Sequence, residues 1–280
     1  MVFNVHPDAD SLVAAAKPLI GADLLRMTSI EAFAATVRTT RDAGSTRMAT
    51  WQYEGGAGAI LQRDGVPVML GDCPGEVAGR AATWLRLATA GDTAPEGMVG
   101  SEQACAAFAR AWFADRAGSY RVRMTLRNHR LTALRDPLPV PGSARDTEQA
   151  DERWLLAQQA AFAEEAGLPD SPAALASMIA QRLAGGGLRI WNDRVDVAFI
   201  GHVRPGERAA RIAPVYTLPS HRRRGYAAAL VASVARDCLA EGRTVFLVTD
   251  LANPGSNRLY ARLGFEPLDT FVVCDLVPDA

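Results

Sequence analysis

The densest run of chemically capable side chains is His221–Ala227. It reads HRRRGYA and passes directly into the apolar segment AALVASVARDCLA. Three arginines and a glycine where a strand gives way to a helix suit an oxygen-rich anion. The first turn of a helix exposes unpaired N–H groups at the positive end of its dipole. Gly225 and Ala227 carry no bulk, so an oxygen can approach the backbone while the arginines add charge around it. The combination fits a pyrophosphate. Two other readings use the same residues: a solvated Arg-rich turn and a nucleic-acid contact. The formal net charge is -1 over 280 residues, which gives no general electrostatic attraction to nucleic acid or to a membrane surface.

The elements that must hold this run are legible around it. AARIAPVYTL precedes it as a strand, and a helix from about Gly225 to Ala240 keeps Ala227, Leu230, Val231, Val234 and Cys238 at helical spacing. TVFLVTDL is a continuous apolar strand of the buried kind. PGSNRLYARLG is a short helix ending at Gly264, and FVVCDLV is a last strand. Upstream, GLRIWND and VDVAFIGHVR are strands joined at Asn192-Asp193, with a second turn at Pro205-Gly206. TEQADERWLLAQQAAFAEEAG is a helix with Thr147 as its expected N-cap and Gly167 as its stop. SPAALASMIAQRLAGGG is another, with Ser171 as N-cap and Pro172 at the first helical position. From residue 142 the order is therefore α-α-β-β-β-α-β-α-β, a mixed sheet covered by helices.

Hydrophobic residues make up 49% and charged residues 22%, an ordinary globular composition. Lysine occurs once, at Lys17, against many arginines, and the alanine, glycine and arginine bias is that of a GC-rich bacterial genome. Cys73, Cys105, Cys238 and Cys274 are scattered, with no CxxC pair and no histidine at ligand spacing, so no metal site is expected. Cys105 and Cys238 read as buried free thiols. MVFNVHPDADSL lacks a signal pattern. No run nears the roughly 20 apolar residues of a membrane span, and a cytoplasmic location is expected.

The loop at Arg222–Ala227 and the segment TDLANPGSNRLYARLGF resemble the GNAT family of N-acetyltransferases, which use acetyl-CoA. In that family a strand leads into (Q/R)-x-x-G-x-(G/A). Here the residues are Arg222-Arg223-Arg224-Gly225-Tyr226-Ala227. An asparagine and then a tyrosine follow on a short helix ending in GF, here Asn257, Tyr260 and Gly264-Phe265. The resemblance covers about residues 142–277. It implies an α+β fold with a GNAT-like mixed sheet flanked by helices.

The resemblance also implies roles. The backbone of Val215, Tyr216 and Thr217 would bond the pantetheine arm, and the loop Arg222, Arg223, Arg224, Gly225, Tyr226, Ala227 would hold the pyrophosphate. Asn257 would bond the cofactor near its thioester end. Tyr260 would protonate the leaving thiolate as general acid. Many members carry a glutamate as base on the strand before the loop, but AARIAPVYTL has no carboxylate. Glu164, Glu165 and Asp250 are the alternatives, or a backbone-polarised site with no side-chain base.

RDPLPVPGSARD, from Arg135 to Asp146, interrupts regular structure and divides the chain into 1–137 and 142–280. Before it, YRVRMTLRNHRLTAL alternates like one strand or a pair. Helices are expected near Ser11–Lys17, near Ile30–Thr40 and over EVAGRAATWLRLA and SEQACAAFARAWFADRAG, with a hairpin across Asp64-Gly65. WQYEGGAGAIL lacks the spacing of a dinucleotide loop and reads as a turn. Trp51, Trp84 and Trp112 read as core. The first half is expected to be a degenerate GNAT-like copy or an α+β cap. The function expected is acetyl transfer from acetyl-CoA to a small-molecule or peptide amine, by a monomer or homodimer. The alternative is a non-catalytic CoA-binding module.

Overall fold

Local sequence rules build the first ten elements, and they recur in the next ten. The computed structural model describes residues 1–39, 46–89, 95–168 and 172–279. The first series is β1 (Val2–His6), α1 (Ala9–Ile20), α2 (Leu24–Thr39), β2 (Thr46–Tyr53), β3 (Gly56–Arg63), β4 (Val68–Gly71), α3 (Gly75–Ala88), β5 (Gly97–Gly100), α4 (Glu102–Trp112) and β6 (Gly118–Leu131). The second is β7 (Ser143–Asp146), α5 (Glu152–Glu165), α6 (Pro172–Ala184), β8 (Leu188–Asp193), β9 (Val195–Val203), β10 (Ala209–Thr217), α7 (Tyr226–Ala240), β11 (Thr244–Asp250), α8 (Pro254–Leu263) and β12 (Phe265–Pro278). Both run β-α-α-β-β-β-α-β-α-β.

Residues 1–128 form one compact unit together with 249–253 and 268–280; residues 129–248 and 254–267 form the other. The end of the second series thus completes the first unit. In that unit β5 pairs parallel with β4 and antiparallel with β12, whose Val272–Asp275 run against Gly97–Gly100. Asp8 caps α1 by accepting the Ser11 N–H at 2.7 Å, and Ser101 caps α4 by accepting the Ala104 N–H at 3.2 Å. Leu12, Ala16 and Ile20 of α1 pack with Met48 and Leu61 on one face of the sheet. On the other, Cys105, Phe108 and Trp112 of α4 join Val77, Ala81 and Leu85 of α3. The expected helices and the β3–β4 hairpin are present. Residue 40, the expected end of α2, lies outside the described residues. Strands β1, β2 and β5 carried too few alternating positions to be read from sequence. The segment from Tyr120 is a single strand.

In the second unit the sheet order is β11-β10-β9-β8-β7. Leu230, Val231, Val234 and Cys238 of α7 fill one face with Val245 and Leu247 of β11. Leu155 of α5 and Ile179 of α6 fill the other with Ile190 and Phe199. Each unit is therefore a mixed sheet with helices on both faces, the α+β class expected.

Three local readings need correction. Part of the segment read as irregular, 143–146, is β7, paired antiparallel to β8 from Ser143↔Asn192 to Asp146↔Arg189. Thr147 does not cap α5, because its hydroxyl donates to the Leu188 carbonyl at 3.3 Å. Glu148 and Asp151 instead form a capping box on a 3-10 turn that leads into the helix. At the β8–β9 turn the left-handed residue is Arg194, φ 64°, one position after the expected pair. Gly167 ends α5 with φ 63° as expected, and Ser171 lies outside the described residues. All four cysteines are buried and free.

Candidate functional site

Strand β10 begins as a central strand and ends as an open edge. It pairs parallel with β11 from Ala209↔Thr244 to Ile212↔Leu247. At Ala213–Pro214 its register slips against β9, and beyond that point Val215, Tyr216 and Thr217 pair only with Ile200, Phe199 and Ala198. Proline has no N–H to give to a ladder, so a bulge falls there naturally. The Leu218 N–H bonds to the Val197 carbonyl at 2.9 Å. Alternate residues of an antiparallel strand turn their N–H and C=O to opposite edges. Tyr216 therefore faces β9 with Leu218, while Val215 and Thr217 turn their backbone groups to the open edge. Of the three residues expected to offer backbone, Val215 and Thr217 turn theirs to the unpaired edge, and the Thr217 carbonyl there already accepts from Arg222.

Their side chains divide in the same way. Val215 packs on the α7 side of the sheet, against the cluster that contains Tyr260. Tyr216 is buried on the α5 side, tilted against Phe199 with ring centroids 6.2 Å apart. The Thr217 hydroxyl is buried and has no hydrogen-bond partner among the described residues. A buried polar group without a partner is uncommon in native structures, and this one lies on the strand that leads into the arginine loop.

A 3-10 turn, Pro219–His221, carries the chain from β10 to α7. Arg223 and Gly225 then take left-handed conformations, φ 62° and 89°, and α7 starts at Tyr226 with no side-chain cap. A Cβ at Gly225 would come 2.8 Å from Val140 Cγ1, so this corner demands glycine both by conformation and by space. The result is a helix start whose first N–H groups have no side-chain cap, a geometry that can accept an anion.

The arginines do different work. Arg222 folds back and clamps the loop: Nε donates to the Thr217 carbonyl at 3.0 Å, and Nη2 donates to both Glu165 oxygens at 2.8 and 2.7 Å. The Tyr216 hydroxyl also donates to Glu165, at 2.8 Å. Glu165 is thereby held below the usual carboxylate range, chiefly by the Arg222 guanidinium, and it is poorly suited to act as a base. Arg224 donates to the Ser220 carbonyl at 3.1 Å. Arg223 is exposed, and no hydrogen bond ties it to the described residues. The Tyr226 hydroxyl donates to Asp193 at 2.5 Å, and that carboxylate raises its pKa, so its part in the cradle is its backbone.

Asn257 and Tyr260 lie three residues apart on α8 and so share a face. Asn257 is half-buried. Tyr260 is buried, edge-on to Phe265 at 5.8 Å. Burial alone pushes its pKa well up, so the phenol keeps its proton at neutral pH. Of the other carboxylates considered as bases, Glu164 is exposed, and Asp250 accepts the Ala252 N–H at 2.8 Å to hold a turn.

The matching place in the first unit is shut. The β4–β5 pairing slips between Met69 and Gly71 but resumes at the last residues, Gly71↔Gly100, and the Ser101 N–H bonds to the Gly71 carbonyl at 2.6 Å. A Cβ at Gly100 would meet that carbonyl oxygen at 2.5 Å. Paired glycines let these strands close, and among the described residues no open edge forms there.

Sequence reasoning missed the clamp on Glu165 and the orphan hydroxyl of Thr217. It also missed the bulge, although Pro214 inside a strand pattern was the signal for it.

Residues 204–273 match the family model described as FR47-like protein. No curated protein matches the chain. Several solved structures share its fold over the whole length. A GCN5-related N-acetyltransferase from Sphaerobacter thermophilus is 18% identical, with a TM-score of 0.59 over 100% of this chain and 96% of its own. A GNAT-family acetyltransferase from Colwellia psychrerythraea is 12% identical, with a TM-score of 0.59 over all of both chains. A tandem GNAT protein from the clavulanic acid biosynthesis pathway is 15% identical, with a TM-score of 0.60 over 100% and 99%.

Proposed function

We propose that this chain, a protein of the GNAT fold with an FR47-like segment, moves an acetyl group from acetyl-CoA to the amine of a small molecule or peptide. The observation that carries this reading is the parting of β10 from β11 next to an uncapped helix start. The residues present fit the thioester co-substrate. The open edge at Val215 and Thr217 suits an amide-bearing pantetheine arm. The buried, unpartnered Thr217 hydroxyl offers one more polar contact. The loop from Arg222 to Ala227 suits the pyrophosphate, with Gly225 keeping side-chain bulk out of it.

In this reading Asn257 holds the arm near its sulfur, and Tyr260 gives its proton to that sulfur as the C–S bond breaks. The amine must be neutral to attack. With Glu165 clamped and no carboxylate on β10, its proton leaves to water, and backbone carbonyls of the parted strands orient the amine. The first series of elements is then a degenerate copy, its own cleft closed by Gly71 and Gly100.

The missing strand carboxylate favours a second reading, a non-catalytic CoA-binding module. Two experiments separate the possibilities. Titration calorimetry of acetyl-CoA should give binding to wild type and none to Gly225→Glu, which puts bulk and negative charge in the cradle. Absence of wild-type binding would overturn both readings. In a thiol-release screen against amines, Tyr260→Phe should lower kcat sharply under the first reading. Under the second, wild type releases no thiol with any amine.

A further inference from the structure

On the α6 side of the parted strands lie two arginines that the acetyl-transfer reading does not use. Arg182, in the last turn of α6, donates from Nη1 to the Ala213 carbonyl at 2.6 Å, directly at the bulge of β10. It lies over Gly201 of β9, where a Cβ would come 2.1 Å from that nitrogen. The bare backbone at Gly201 is what lets the guanidinium reach the bulge. Arg211 lies two residues before Ala213 on β10, in register with Val203 on β9 and Phe246 on β11. Its strand neighbours Ala210 and Ile212 point into the α7 cluster, so Arg211 faces α6, as Arg182 does.

Neither arginine forms an ion pair with any described carboxylate. Glu165 of α5, on the same side of the sheet, takes Arg222, while Asp237 and Glu241 of α7 take Arg189, Arg204 and Arg243. His202 and Arg204 are on the opposite face, with Glu241 of α7. Each arginine is partly exposed as a whole residue, but its charged end lies deep in the fold. Desolvation pulls the Arg182 pKa down to about 10, with the like charge of Arg211 adding to the effect, and it lowers that of Arg211 too. Two desolvated cations side by side without a counter-ion are costly to keep in a fold. An anion that arrives with a ligand removes that cost.

We propose that Arg182 and Arg211 form a carboxylate subsite of the acceptor cleft, and that the acceptor is an amine bearing a carboxylate, as amino acids do. The proposal rests on the acetyl-transfer reading for its chemistry. The subsite follows the arm-binding edge closely: Ala213, bonded by Arg182, is two residues from Val215. A guanidinium pair can grip a carboxylate through charge-assisted, bidentate hydrogen bonds, which fixes the amine in one orientation. The same charges could instead read a carboxylate on the acyl group of a dicarboxylic acyl-CoA.

The test compares wild type, Arg211→Met and Arg182→Met. One arm measures thiol release from acetyl-CoA with a panel of amino acids, each beside its own carboxamide. The other compares succinyl-CoA with acetyl-CoA on a neutral amine. Wild type should favour a free carboxylate by at least about tenfold in kcat/KM, and Arg211→Met should erase that preference while binding acetyl-CoA as before. A preference in the first arm supports the acceptor assignment. One confined to the second moves the carboxylate to the donor and overturns that assignment. No preference in either arm overturns the subsite.

A second readout needs no turnover, and so separates failure of the subsite from failure of the acetyl-transfer reading. Propionate, set against chloride at equal ionic strength, should raise the Tm of wild type and leave that of Arg211→Met unmoved. In the absence of ligand, Arg211→Met should itself raise Tm, because an uncompensated charge has gone. A fall in Tm together with an unchanged response to propionate would mark Arg211 as a structural side chain and overturn the proposal.

Discussion

Replacing Thr217 by valine should move stability and ligand affinity in opposite senses. The hydroxyl is buried and makes no hydrogen bond among the described residues, so the ligand-free fold bears the desolvation of a polar group with no return. That burden is about 1–3 kcal/mol, and replacement by an apolar group of similar shape removes it. Thr217→Val should therefore raise the unfolding free energy, by up to about that amount, in urea titration. If the hydroxyl serves the pantetheine arm, the same change removes one hydrogen bond from the complex, worth about 0.5–1.5 kcal/mol. Acetyl-CoA should then bind about 2- to 10-fold more weakly by calorimetry. A drop in stability would show that the hydroxyl is satisfied in the free protein. Higher stability with unchanged affinity would detach Thr217 from the ligand. Either result refutes the reasoning.

Gly225→Ala places a methyl at φ 89° and 2.8 Å from Val140. It should destabilise the protein by about 1–3 kcal/mol, and adding Val140→Ala should recover only the contact part in a double-mutant cycle. Glu165 has a folded pKa lowered by Arg222, so its contribution to stability is full above the ordinary carboxylate pKa and is lost as pH falls through the lowered value. Both partners are about half exposed, so the effect is small, under about 1 kcal/mol; urea titrations at acidic and neutral pH should differ less in Glu165→Gln than in wild type. Leu230 is fully buried in the α7 cluster, and Leu230→Ala should cost about 2–5 kcal/mol of unfolding free energy.

The candidate site was partly visible in sequence because its strongest parts are local. A strand, a basic turn, a glycine and an alanine-rich helix follow one another within residues 209–240, and their spacing alone suggests the proposed cradle. The same holds for Asn257 and Tyr260, three apart on one short helix. What the local pattern could not show is which side chains are already engaged. Arg222 reads as a phosphate ligand until Glu165, 57 positions away, is found in its grip. Glu165 reads as a base until Arg222 and Tyr216 are found bonded to it.

By itself, then, the sequence determined the helices and the longer strands, the glycine corner at Gly225 and the absence of a carboxylate on β10, because conformational preference and residue type are properties of short segments. Only tertiary structure decided where β10 leaves β11, since strand pairing joins residues some 35 positions apart, as in Ala209↔Thr244. It also decided that β4 and β5 close at Gly71↔Gly100 while their counterparts part. It grouped residues 268–280 with the first unit, and it left Arg182 and Arg211 facing one way with no ion pair to any described carboxylate. Burial and pairing come from chain segments brought together in space, and no window along the sequence contains them.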